Sequence, residues 1–246
     1  MTRAIRSAFP ATDGARPIAT FRRLFFAALC AGVLAGVVAA AAHQFLTVPL
    51  IQRAETYETL PTAPHDHAAQ AASWQPAEGL ERAFFTLLAD ILAGIGYALL
   101  LVAGMAWRRG PLSWRGGAWW GLAGFVAFSL APAIGLPPEL PGTAVAPLFP
   151  RQLWWLATAI VTAGGLFSIA CGRRPLWVLA GLALIALPHL IGAPQPAVHA
   201  AGTHTATVPP ALAAAFQLAA MAINLLFWLV LGAAGVFFLR RFAPAA

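Results

Sequence analysis

Six histidines and eight carboxylates are the side chains of this sequence best suited to chemistry. Imidazole nitrogen combined with carboxylate oxygen suits borderline divalent cations such as Co, Ni or Zn. A Cu(I) route asks instead for Met and Cys, of which there are only three and two. The set divides by neighbourhood. His65, Asp66 and His67 form an "HDH" and His199 and His204 stand apart, all in stretches rich in Ala, Pro and Thr. Ligands on such flexible chain lose freedom on ordering and hold an ion weakly. Glu139 lies in "GLPPELPG", between Pro137, Pro138 and Pro141, a stiff backbone that presets a ligand with little entropy left to lose. Asp90 sits inside the apolar run "FFTLLADILAGIGYALLL", where an ionisable group is costly unless it faces a bundle interior or a watery cavity. Thr86, Gly94 and Tyr97 share its helix face at four- and seven-residue spacing, offering polar partners and room for close approach. Asn224, in the run at 212–239, is the other buried-polar candidate. Asp90 and Asn224 are therefore candidates for an ion path, with a structural hydrogen-bond role for Asp90 as the alternative.

The elements that must position these groups follow from composition. With 60% hydrophobic and 9% charged residues over 246 positions, the chain is a membrane protein rather than a soluble domain. Six continuous apolar runs, at about 24–45, 84–107, 118–136, 152–171, 175–192 and 212–239, predict membrane-crossing helices. The fifth is the shortest, so five crossings remain an alternative. The expected fold is all-α, a polytopic helical membrane protein in three hairpins, with a basic N-terminal segment at 1–23 and one helical domain at 24–242.

Orientation follows from arginine, since all fifteen basic residues are Arg. Arg3, Arg6, Arg16, Arg22 and Arg23 precede the first run, Arg108, Arg109 and Arg115 join the second to the third, Arg173 and Arg174 join the fourth to the fifth, and Arg240 and Arg241 follow the sixth. The positive-inside rule makes that side cytoplasmic, with both termini inside and external loops at 47–80, 137–150 and 193–211. Arg53, Arg82 and Arg151 fall on the other side near span ends, where each can snorkel or meet an acid. The charge of +7 thus has a topological cause, and no continuous basic face points to nucleic acid. Glu55, Glu58, Asp66, Glu78, Glu81 and Glu139 then fall outside, as do His65, His67, His199 and His204, with His43 and His189 near outer span ends. This is either a surface that collects a cation or simply the polarity of solvated loops.

Three local patterns bear on packing. Gly32 and Gly36, flanked by Ala28 and Ala40 at four-residue spacing, make a smooth face for close helix contact and argue against a cleaved signal peptide. "LAG" recurs with a proline thirteen residues on, as Gly36 with Pro49, Gly124 with Pro137 and Gly181 with Pro194, so a proline ends each outgoing helix. Cys30 and Cys171 belong to no CxxC pair and predict free thiols.

Together "AETYE" at 54–58, "ERAFFTLLADILAGIGYALLL" from 81, "GLAGFVAFSLAPAIGLPPELPG" from 121, "RQLWWLATA" from 151, "ALPHLIGAP" from 186 and "NLLFWLVLG" from 224 resemble the CbtA family of predicted cobalt transporter subunits over about residues 21–242. The resemblance implies a bacterial inner-membrane protein inferred to move cobalt for cobalamin synthesis, paired with a small single-span subunit bearing a histidine-rich end. The family is often described with five spans. Its motifs single out Glu55, Glu58, Glu139 and His189 as metal-site positions, with His43, His65, Asp66, His67, His199 and His204 as auxiliary collectors. A Glu pair at i, i+3 can present two oxygens to one ion. The alternatives are a solvated helix end paired with Arg53 for the glutamates, and a hydrogen-bonded interface residue for His189. No tightly bound cofactor is expected, Co2+ or a similar ion being cargo. The expected partners are the lipid bilayer and the single-span subunit, and the sequence leaves room for a homo-oligomer. The sequence contains no HExxH, GxSxG or P-loop to support an enzyme. The alternative to a transporter is a non-conducting assembly subunit.

Overall fold

The computed structural model describes residues 15–58, 76–108, 113–141, 143, 145–172, 174–196 and 208–243. Within them the chain is helical: α1 Ala15–Leu46, α2 Val48–Glu58, α3 Leu80–Arg108, α4 Trp114–Phe125, a π-helical segment Val126–Leu130, α5 Ala131–Gly135, α6 Leu148–Cys171, α7 Pro175–Ile191 and α8 Pro210–Arg241. Five of these stretches are long and apolar enough to cross a membrane, namely Thr20–Leu46, Leu80–Arg108, Trp114–Gly135, Leu148–Cys171 and Pro210–Arg241. The fifth apolar run forms the 17-residue α7, at the short end of what spans roughly 30 Å of hydrocarbon. Part of the segment read as the first external loop is the helix α2.

Lipid removes the hydrophobic drive between helices, so close backbone contact and side-chain packing must hold them. Three pairs are joined in this way through glycine. Gly32 and Gly36 of α1 meet α3 at Ile95 and at Asp90 and Ile91, and Gly94 of α3 meets Gly32. Gly117 and Gly121 of α4 meet Gly232 and Trp228 of α8, and Gly165 of α6 meets Gly181 of α7. In each pair the residue numbers run in opposite senses, so the partners are antiparallel. Ala28 and Ala40 are buried on the α1 face, as their spacing predicts.

α1, α3, α4 and α8 form the main body, around a core that includes Ala31, Val102, Phe125, Ile223, Trp228 and Leu231. Nε and Nη2 of Arg23 donate to the Leu239 carbonyl at 3.0 and 2.6 Å, which ties the start of α1 to the end of α8. We call the opposite end of the bundle the far end. α6 and α7 pack on each other and join the body through α4, the π-helical segment and α5, and among the described residues neither makes a close backbone approach to α8. Of the three expected hairpins, α1 thus packs on α3 and α6 on the π-helical segment and α5, whereas α7 packs on α6 and, among the described residues, not on α8.

The π-helical turn has a local cause. Pro132 has no N–H to donate and its ring clashes with the carbonyl of the preceding turn. The N–H of Ala131 reaches back to the Val126 carbonyl, and the wider turn relieves that clash. At the far end the prolines act as expected. Thr47 breaks α1 from α2 just before Pro49, α5 ends at Gly135 before Pro137, and α7 ends at Ile191 before Pro194.

Candidate functional site

A cavity of about 820 Å³ lies between the π-helical segment, α5, α6 and α8. Its floor holds Tyr97, Phe128, Ser129, Asn224 and Trp228, and its far-end mouth holds Pro137, Pro138, Glu139 and Arg151. Three of the floor's polar side chains are bonded in series. The indole Nε1–H of Trp228 donates to Ser129 Oγ at 3.2 Å, Ser129 Oγ–H donates to Asn224 Oδ1 at 3.1 Å, and Asn224 Nδ2 donates to the Ala220 carbonyl at 2.9 Å. Asn224 thus ties the π-helical segment to α8. Rings of Tyr97, Phe128 and Trp228 close around it, with Tyr97 5.0 Å from Trp228 and Phe128 stacked on Trp228 at 5.5 Å.

At the mouth, Arg151 on the first turn of α6 donates from Nη2 to Glu139 Oε2 at 2.6 Å, with each side chain about a quarter exposed. Glu139 is held from the other side by its neighbour Leu140, 3% exposed, which packs with Ala54 of α2 and Val208 ahead of α8 in a small apolar cap. One turn along α6, Trp154 meets the His189 ring, centroids 6.0 Å apart. His189 stands after the buried Pro188 in the last turn of α7. Three buried nitrogens here have no hydrogen-bond partner: Arg151 Nε, Trp154 Nε1 and His189 Nε2. The structure therefore sets Glu139 and His189, distant in sequence, against the same two turns of α6.

Glu55 sits elsewhere at the far end. Its Oε1 accepts from Arg82 Nη1 at 2.9 Å, bridging α2 to α3, and Arg82 also approaches Glu78 at 3.9 Å. The partner is thus Arg82 and not Arg53, whose carbonyl accepts from Thr56 at 2.8 Å. Arg82 and Arg151 both meet acids, as expected of basic residues on that side. The Glu58 side chain, His65, Asp66, His67, His199 and His204 lie outside the described residues.

Asp90 lies on α3 where Gly36 of α1 meets its backbone. Nδ1 of His43 is hydrogen-bonded to Thr47 Oγ1 at 2.8 Å, and that hydroxyl donates to the His43 carbonyl at 3.2 Å. Asp90 Oδ2 is buried without a hydrogen-bond partner. The expected partners on its own helix turn elsewhere: Thr86 donates to the Arg82 carbonyl at 2.9 Å, and Tyr97 joins the aromatic floor. A cross-helix partner needs the α1–α3 register, which no helix-face pattern contains.

Sequence reasoning also missed Ser129, Trp154 and Arg151 as parts of the site. Arg151 was legible as a basic residue near a span end, but its pairing with Glu139 depends on the α5–α6 turn. Among the described residues no three His, Cys, Asp or Glu side chains lie close enough together to hold a metal ion. No curated protein and no solved structure matches this chain. The family model for the probable cobalt transporter subunit (CbtA) matches residues 21–240, most of the chain, and the helices fit a membrane protein. On that match, this chain belongs to the CbtA family of probable cobalt transporter subunits.

Proposed function

We propose that the chain is the membrane-embedded subunit that carries a divalent cation, Co2+ first among them, collecting it at a far end rich in histidine and carboxylate. It is not an enzyme. In this reading the far end faces outward from a bacterial inner membrane, with both termini cytoplasmic, because the arginines concentrate at the opposite end. A small single-span, histidine-rich subunit is its partner. The loop histidines at 65, 67, 199 and 204 raise the local metal concentration, Glu139 and His189 form the selective entry, and Glu55 and Glu58 are further ligands on α2. Asp90 and Asn224 mark the path below.

The observation that supports this reading most is that Glu139 and His189 pack on the first two turns of α6, Glu139 against Arg151 at the cavity mouth and His189 against Trp154. Arg151 neutralises Glu139 until a doubly charged ion competes for the carboxylate, and His189 Nε2 is a nitrogen with no prior partner. Ligands held by Leu140, prolines and a helix turn are set before the ion arrives, which favours selective binding. Drive would come from membrane potential, an ion gradient or another protein, since the sequence has no nucleotide-binding motif.

A second reading, a non-conducting assembly subunit, draws on the arginine pairing of both Glu55 and Glu139. Accumulation of several labelled divalent metals in cells separates the two. Transport predicts that Glu139→Gln or His189→Ala abolishes Co2+ accumulation even at abundant metal, while replacing the four loop histidines lowers it only at scarce metal. Undiminished accumulation in both single variants, at normal membrane levels of the protein, would leave the assembly role standing.

A further inference from the structure

We propose that the cavity between α6 and α8 is a binding site for one phospholipid, with its phosphate on Arg151 and an acyl chain lying against Phe128, Trp155, Met221 and Trp228. Of the polar side chains of the floor, Trp228, Ser129 and Asn224 are already bonded to one another, which leaves the Tyr97 hydroxyl. The floor is otherwise aromatic and accepts an apolar body. The unused polar capacity is at the mouth. Arg151 gives Nη2 to Glu139 while its Nε–H has no partner, and Gln152 stands beside it. A guanidinium fork with bonds to spare, at the depth where a span meets the headgroups, is the chemistry that takes a phosphate. The complementary ligand is an amphipath with an anionic head and a hydrocarbon tail.

Size and access favour the same occupant. α6 and α8 make no close backbone approach among the described residues, and the exposed Leu148 and Leu156 line the cavity there, which gives an acyl chain a lateral way in. The lining of α6 runs from Leu148 to Leu156, about 12 Å at 1.5 Å per residue, which is most of the roughly 15 Å depth of one leaflet's hydrocarbon. A transmembrane helix of the partner, about 30 Å long, is much longer than this lining, and a bare ion leaves nearly all of the about 820 Å³ empty. A phosphate on Arg151 also competes with Glu139 for the guanidinium. Resting on the transport reading, the lipid would then release Glu139 for the cation.

The test uses the full chain in nanodiscs of phosphatidylethanolamine and phosphatidylglycerol that carry a photoactivatable acyl chain, followed by peptide mass spectrometry. The expected result is phospholipid adducts concentrated on the peptides holding Phe128, Trp155, Met221 and Trp228, reduced about tenfold in Arg151→Gln, a loss expected for one charge-assisted contact. Ala133→Phe, which fills the cavity from α5, should remove the adducts without touching Arg151, and so serves if Arg151→Gln fails to fold. Adducts spread evenly over the lipid-facing helices, adducts unchanged by Ala133→Phe, or recovery of a detergent or metal chelate from the cavity would each overturn the proposal. Because the readout is lipid occupancy, it stands or falls independently of metal transport. Absence of these adducts from the unaltered chain refutes the lipid site, and absent Co2+ movement with adducts intact refutes only the transport reading.

Discussion

Gly94 and Gly96 lie two residues apart on α3, and the same substitution at each should act with opposite sign. A Cβ at Gly94 would run into the carbonyl oxygen of Gly32 and lie 3.2 Å from Gly32 C, inside the 3.4 Å at which ordinary contact begins. Both obstacles are backbone, so α1 and α3 must part along the seam that also carries Gly36 and Asp90. A Cβ at Gly96 meets nothing within 4 Å. Each alanine gains the same helix propensity, about 1 kcal/mol over glycine. The difference between the two variants therefore isolates overpacking, about 1–3 kcal/mol, or roughly 5- to 150-fold in the unfolding equilibrium. Reversible unfolding in mixed micelles would measure it, with Gly96→Ala at least as stable as the parent and Gly94→Ala less stable. Equal stability of the two would refute the claim that backbone contact through glycine holds α1 to α3.

Two other outcomes are expected. Trp228→Phe keeps a ring in the aromatic floor but removes the donor to Ser129, and should cost about 1 kcal/mol in the same unfolding measurement; no loss in a Ser129→Ala background would confirm that the bond is the cause. In a background without Cys30 and Cys171, cysteines placed at Arg109 and Arg173 should resist an impermeant reagent added outside intact cells, and their ready labelling would invert the orientation drawn from arginine.

Much of the fold was legible because a bilayer imposes simple rules. Continuous apolar runs mark helices, arginine marks one side, and glycine spaced by four marks a contact face, as at Gly32 and Gly36. The site was legible only in its parts. Glu139 could be read as a preset group from its prolines, but its distance to Arg151 depends on the turn between α5 and α6. His189 could be placed at a helix end, yet its contact with Trp154 follows from the α6–α7 pairing through Gly165 and Gly181. Asp90 was recognisable as a costly intramembrane acid, while the α1 face packed against it comes from another helix whose register no local spacing encodes. The π-helical turn escaped for a similar reason. Pro132 announces a disturbance, but whether a helix kinks, stops or widens is decided by what packs around it, here Trp228 and Asn224.

The most direct test is Co2+ entry into proteoliposomes that hold this chain, with and without the proposed single-span partner, followed with a metal-sensitive dye inside the vesicles. Flux that requires this chain and is lost in Glu139→Gln, with the folded variant still inserted, is the predicted result. Undiminished flux through Glu139→Gln and His189→Ala complexes, or equal flux through vesicles lacking this chain, would contradict it.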